Sequence, residues 1–140
     1  MPVLVDSNVL VYFWDATSVF HQWAEAAMRE EGENDILAVN PIIYAELCLA
    51  VESAAALDRR LKEASFERFD LPWSCLFSAA QAFGKHVKAR KVAARKPPKT
   101  PLPDFLIGAH AEAMDYSLMT VDAARFRTYF PNVRLIAPIR

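Results

Sequence analysis

The sequence predicts an α/β protein, a three-layer α/β/α sandwich around a central parallel sheet. Short, mainly apolar runs (Val3-Leu4-Val5, Ile36-Leu37-Ala38-Val39, and segments 118–121 and 133–136) lack the alternation of a sheet with one wet face, so each strand is covered on both sides. Between them lie segments with apolar residues at helical spacing, the pattern of crossover connections. A length of 140 residues suits one domain with one core, and we expect a single domain over residues 1–140. With 54% hydrophobic and 24% charged residues, the composition excludes a disordered, collagen-like or coiled-coil chain.

Each element follows from local chemistry. Val3-Leu4-Val5 is the first strand, and the apolar run after Asp6 reads as a helix starting near Asn8. Residues 20–31 place Phe20, Trp23, Ala24, Ala27 and Met28 on one helical face, and Gly32-Glu33-Asn34-Asp35 breaks that pattern. After the strand at 36–39, Asn40-Pro41 opens a helix, because proline's missing N–H has no partner in a first turn. Its apolar lining predicts one helix over 42–56, with a shorter one over 57–64. Residues 66–71 read as a half-exposed strand, and Ser74 as the cap of a long helix running to about residue 94. Four prolines between Lys96 and Pro103 predict a loop. A helix over 104–116, a strand over 118–121, a short helix over 122–129 and a strand over 133–136 complete the order.

The longest apolar runs, Val9 to Trp14 and Leu47 to Val51, fall far short of the roughly 18 residues a membrane span needs. With no basic or apolar leader after Met1, a cytoplasmic protein that does not engage a membrane is expected. Cys48 and Cys75 sit among apolar neighbours without the spacing of a zinc or redox pair, and read as reduced core residues.

The net charge of −1 conceals a strong asymmetry. No acid occurs between Asp70 and Asp104, and that interval holds Lys85, Lys88, Arg90, Lys91, Arg95, Lys96 and Lys99, seven of the sixteen bases. A basic arm on an acidic body fits a phosphate backbone, and it equally fits a solvated helix face with a lysine-rich loop.

Four acids stand where their surroundings disfavour charge or where a site would form. Glu46 has Ile42, Ile43, Leu49 and Ala50 three and four positions away, with no Lys or Arg between Arg29 and Arg59, so its charge needs a partner from another element. Asp6 follows the first strand and opens the polar triplet Asp6-Ser7-Asn8. Asp122 follows Met119-Thr120-Val121, and Asp104 begins a helix in which Gly108 permits close approach of backbone or ligand. Asp6, Asp104 and Asp122 each suit an N-cap as well. In a parallel sheet, however, sites collect at the carboxyl ends of strands, which would bring these acids together. Carboxylates about 4 Å apart repel by about 4 kcal/mol at an effective dielectric near 20, so such a cluster needs cations. Hard oxygen ligands select Mg²⁺ or Mn²⁺, a donor set suited to metal-assisted phosphoryl chemistry. Ser7, Asn8 and Thr120 then orient the acids.

Taken in order, Val5-Asp6-Ser7-Asn8-Val9-Leu10, Asn40-Pro41-Ile42-Ile43-Tyr44-Ala45-Glu46, Pro103-Asp104-Phe105-Leu106-Ile107-Gly108-Ala109-His110-Ala111, Met119-Thr120-Val121-Asp122 and Arg125-Phe126-Arg127-Thr128-Tyr129-Phe130-Pro131 resemble a PIN-domain ribonuclease, and within that family the VapC-type toxins. The resemblance spans essentially the whole chain. It implies a PIN-like fold, with Asp6, Glu46, Asp104 and Asp122 as the catalytic and metal-holding acids around Mg²⁺ or Mn²⁺. It further implies endonucleolytic RNA cleavage, a homodimer and a cognate antitoxin. Val121 departs from the pattern, since relatives often carry a base before the last Asp. The basic arm leads into Asp104 and would track RNA. The alternative is a non-catalytic PIN-like module binding RNA or protein. A phosphate-accepting receiver or phosphatase role for Asp6 is disfavoured by Asn8, where a second Asp would stand. Trp14, Trp23, Trp73 and Phe83 read mainly as core or interface residues. His21, His86 and His110 have no convergent partner in the sequence, and His110 reads as a packed helix residue.

Overall fold

A computed structural model describes residues 1–93 and 99–139. Its order is β1 (Val3–Val5), α1 (Ser7–Trp14), α2 (His21–Asn34), β2 (Leu37–Val39), α3 (Pro41–Leu47), α4 (Ala54–Glu63), β3 (Glu67–Arg68), α5 (Ser74–Val92), α6 (Leu102–Met114), β4 (Ser117–Met119), α7 (Ala124–Arg127) and β5 (Leu135–Ile136). The expected parallel sheet and three layers are present. Its strands run β3-β2-β1-β4-β5, and every pairing is parallel. β1 is central, with Val3, Leu4 and Val5 fully buried, which accounts for the absence of any polar residue in it. The chain runs outward from β1 through β2 to β3, then returns to the other side of β1 as β4. The carboxyl ends of β1 and β4 therefore form a topological switch point, where open parallel sheets bind ligands.

Differences from the expected elements have local causes. The helix expected over 42–56 ends at Leu47. Leu49 and Ala50 then donate to carbonyls three residues back, and the Ser53 hydroxyl accepts from Ala56 N at 3.1 Å to start α4. Cys48 consequently lies exposed rather than in the core, whereas Cys75 is buried. Ser74 is the first residue of α5 rather than its cap, and no side chain caps that helix. α6 begins two residues before Asp104 because Pro103 fits a first turn, where its missing donor costs nothing. The loop expected from Lys96 falls partly on residues 94–98, outside the described set; residues 99–101 are not helical.

Gly108 proves to serve packing. A Cβ there would sit 2.4 Å from two ring carbons of Phe130, so the approach that glycine permits is made by this chain's own buried aromatic. None of the described helices is long and apolar enough to cross a membrane.

Candidate active site

The four acids come from four different elements and meet at the switch point. Asp6 caps α1 at the end of β1: its backbone N–H donates to Met119 O across the sheet at 2.9 Å, and Ser7 N donates to its Oδ1 at 2.8 Å. The fully buried Thr120, just past β4, donates its hydroxyl to Asp6 Oδ2 at 3.0 Å and accepts from Asp122 N at 3.1 Å. One hydroxyl thus fixes the acids after both central strands. Asn8 closes the same corner, with Nδ2 donating to Asp122 Oδ2 and Oδ1 accepting from Val121 N, both at 3.4 Å.

Glu46 reaches this corner from α3, where Ser7 donates its hydroxyl to Oε1 at 3.2 Å. Its setting is only half-buried, because α3 stops one residue later and Leu49 is 91% exposed instead of covering it. Asp104 arrives from the first turn of α6, buried like Asp6 at 5% exposure. Ser7, Asn8 and Thr120 therefore each hydrogen-bond at least one of the four acids.

Electrostatics ties the group together. Burial pushes the Asp6 carboxyl up from 3.8 to about 7; the Thr120 and Ser7 bonds pull it down, and the charges of Asp104 and Glu46 raise it further. Glu46 is raised chiefly by burial and also by Asp104, against the Ser7 bond and Arg125. Asp104 is raised by burial, with Arg125 opposing and Asp122 adding to the rise.

Arg125 is the participant that the residue-by-residue reading did not single out. Its Nη1 lies 3.2 Å from Asp104 Oδ2 and its Nε 3.9 Å from Asp122 Oδ2. The (i, i+3) spacing from Asp122 was a visible signal; the pairing with Asp104 depends on α7 packing against α6. One guanidinium is shared by two acids, while Asp6 and Glu46 meet hydroxyl and amide donors. All side-chain donors to a cation here are oxygen, which suits a hard ion. Among the described residues, no three Asp, Glu, His or Cys side chains close into a ready-made metal cage.

The histidines, expected to stand alone, have partners. His110 is buried as expected, its Nδ1 lying 3.1 Å from Nδ2 of the buried Asn40, whose Oδ1 accepts from Ile43 N at the start of α3. An amide nitrogen donates, so Nδ1 accepts and His110 braces the helix that carries Glu46. His86 bonds Tyr129 and Thr100, and His21 bonds Tyr12 O.

Of the basic arm, Lys85, Lys88 and Lys91 are exposed on α5 and Lys99 is exposed beyond it, none ion-paired among the described residues. Arg90 is half-buried; Arg95 and Lys96 lie outside the described set. Trp14, Trp23 and Phe83 pack against the core, but Trp73 is 86% exposed.

The fold has close counterparts among solved structures. VapBC2 from Rickettsia felis, bound to a DNA fragment from its promoter, matches with a TM-score of 0.74 and 22% identity over 99% of this chain and 100% of that one. A toxin–antitoxin complex from Klebsiella pneumoniae matches with 0.69 and 17% over 99% and 98%. VapC20 from Mycobacterium tuberculosis, a toxin that cleaves the sarcin–ricin loop, matches with 0.59 and 13% over 94% and 98%. No curated protein matches the sequence. The PIN domain profile matches residues 3–130, a span that contains all four acids, and the chain belongs to the PIN domain family.

Proposed function

We propose that this protein is a divalent-ion-dependent endoribonuclease, the VapC-type toxin of a toxin–antitoxin pair. The observation that carries the reading is the convergence of Asp6, Glu46, Asp104 and Asp122 at the β1/β4 switch point, with the Arg125 guanidinium beside Asp104 and Asp122. Such excess negative charge favours a cation, and Mg²⁺ or Mn²⁺ held by these acids supplies Lewis-acid stabilisation of phosphoryl charge and an acidified water.

The chain's own groups do the positioning. Thr120 keeps Asp6 turned toward the cleft, Ser7 holds Glu46, and Asn8 holds Asp122. Arg125, 45% exposed, presents a fork of donors suited to a phosphate oxygen at the rim of the acids. Among the described residues Lys85, Lys88, Lys91 and Lys99 have no acidic partners to release before meeting a polyanion, which supports an RNA path along α5. Arg90, Arg95 and Lys96 belong to the same proposed path. The likeness to toxin–antitoxin complexes supports a protein antitoxin as partner; a homodimer and a cytoplasmic setting belong to the same proposal.

The test is cleavage of a mixed RNA pool by purified protein. We expect cutting with Mg²⁺ or Mn²⁺, none in EDTA, 5′-phosphate ends, and none from a folded Asp104→Asn variant. The Arg125 pairs favour a second reading, a non-catalytic module in which arginine rather than a metal ion balances the acids. RNA binding indifferent to EDTA, without cutting, would select it.

A further inference from the structure

We propose that His86 is the positioning residue for Asp104: a neutral imidazole, fixed with its proton on Nδ1, that ties down the backbone at Thr100 and so sets where α6 begins. Only its kinetic consequence rests on the nuclease reading.

Two hydrogen bonds fix the tautomer. Thr100 N–H points at His86 Nε2 at 2.9 Å, and a backbone N–H can only donate, so Nε2 carries no proton. The proton is then on Nδ1, 3.1 Å from the Tyr129 hydroxyl oxygen, which accepts it. His86 and Thr100 are both buried, at 2% and 5% exposure.

Among the described residues no side-chain hydrogen bond caps the start of α6, and Pro101 and Pro103 have no N–H to offer. A cavity of about 540 Å³ opens between α5 and segment 99–102, with Phe83, Val87 and Leu102 in its wall. Downstream, Asp104 N donates to Pro101 O at 3.1 Å, and Phe105 packs its ring against both His86 and Tyr129. A shift at Thr100 therefore passes directly to the turn that carries the Asp104 carboxylate.

The clamp is also acid-sensitive. A proton on Nε2 would set donor against donor at the Thr100 bond. The charged or titratable groups around the ring are Arg90 on its own helix, Lys91 and Lys99 at the cavity, and Tyr129 from beyond α7; no acid lines that cavity among the described residues. Burial first, and Arg90 second, hold His86 below the ordinary histidine range, so the bond persists through neutral pH and releases only in acid.

His86→Gln keeps an acceptor within reach of Thr100 and removes the titration, whereas His86→Leu keeps bulk and removes the acceptor. We expect His86→Leu to lower kcat by about 10- to 100-fold and to weaken Mn²⁺ binding, with KM for RNA little changed. His86→Gln should restore both at neutral pH, where His86 is uncharged. A folded His86→Leu variant with wild-type kcat and Mn²⁺ affinity overturns the proposal, as does failure of His86→Gln to rescue. Should His86→Leu not fold, ¹⁵N spectra of the wild-type imidazole decide: a proton on Nδ1 with slow exchange of the Thr100 amide supports the clamp, and a proton on Nε2 refutes it. Absence of RNA cleavage by wild type would sink the nuclease reading alone, since Mn²⁺ affinity and the imidazole spectra still judge the clamp.

Discussion

The two buried acids of the cleft are held by different means. Asp6 is anchored to the sheet, its backbone bonded to Met119 and its carboxylate to Thr120 and Ser7, with no cation in contact among the described residues. Asp104 is anchored to a helix whose start depends on His86, and its carboxylate meets the exposed Arg125. The sheet-anchored side is geometrically fixed and electrostatically uncompensated; the helix-anchored side is compensated and rests on longer-range supports. A hard cation would be recruited mainly by the first side and completed by the second.

The strongest way to break this contrast is to neutralise each acid. Asp6→Asn and Asp104→Asn should both cut the divalent-dependent rate by more than the about 10–100-fold that loss of an orienting partner costs. They should differ in stability. Folded Asp6 holds its proton up to about pH 7 while the unfolded carboxyl releases it near 3.8, so in EDTA the wild type loses stability as pH rises through that interval. Urea melts should therefore show Asp6→Asn and wild type converging near pH 4, with the variant the more stable at pH 8. Taking the difference between the two proteins removes the contributions of the buried histidines, whose lowered pKa values act in the opposite direction. Parallel stability curves would show that Asp6 is not held protonated by its surroundings.

A smaller loss is expected from Thr120→Val, which removes the donor to Asp6 and the acceptor for Asp122 N while preserving shape. Mn²⁺ affinity, followed by calorimetry, should fall by about 10–100-fold with the secondary structure unchanged. On the helical side, Gly108→Ala forces Phe130 or α6 to move and should cost about 1–3 kcal/mol in a urea melt. If stability is unaffected, the close approach of ring and helix is not what seats α6. The smallest effect should come from Arg125→Gln. Removing a partly exposed competing charge should tighten Mn²⁺ binding by about 3- to 10-fold while weakening RNA binding. Weaker Mn²⁺ binding instead would show that Arg125 organises the acids rather than competing for them.

Much of this was legible because strand chemistry is local. Val3–Val5 is apolar at every position, which only a central parallel strand requires, and sheet topology puts Asp6, directly beyond β1, beside Asp122, three residues beyond the end of β4. The helix over 42–56 was misjudged because Leu49 and Ala50 are apolar yet end in solvent, so their composition could not reveal that the helix stops at Leu47. Cys48 was misplaced by the same error. Arg125 lay in plain view, but its distance to Asp104 depends on how α7 docks on α6, and no sequence interval encodes that docking.

By itself the sequence determined the layered fold, the four candidate acids and the segregation of base from acid, because each depends on residue type and on neighbours a few positions away. The tertiary structure alone decided which acids receive a counter-charge, that Gly108 serves Phe130, and that two buried histidines brace the helices carrying Glu46 and Asp104. Apart from the Asp122–Arg125 pair, three residues apart, those relations join residues from 14 to 70 positions apart, fixed by packing in three dimensions rather than by any periodicity along the chain.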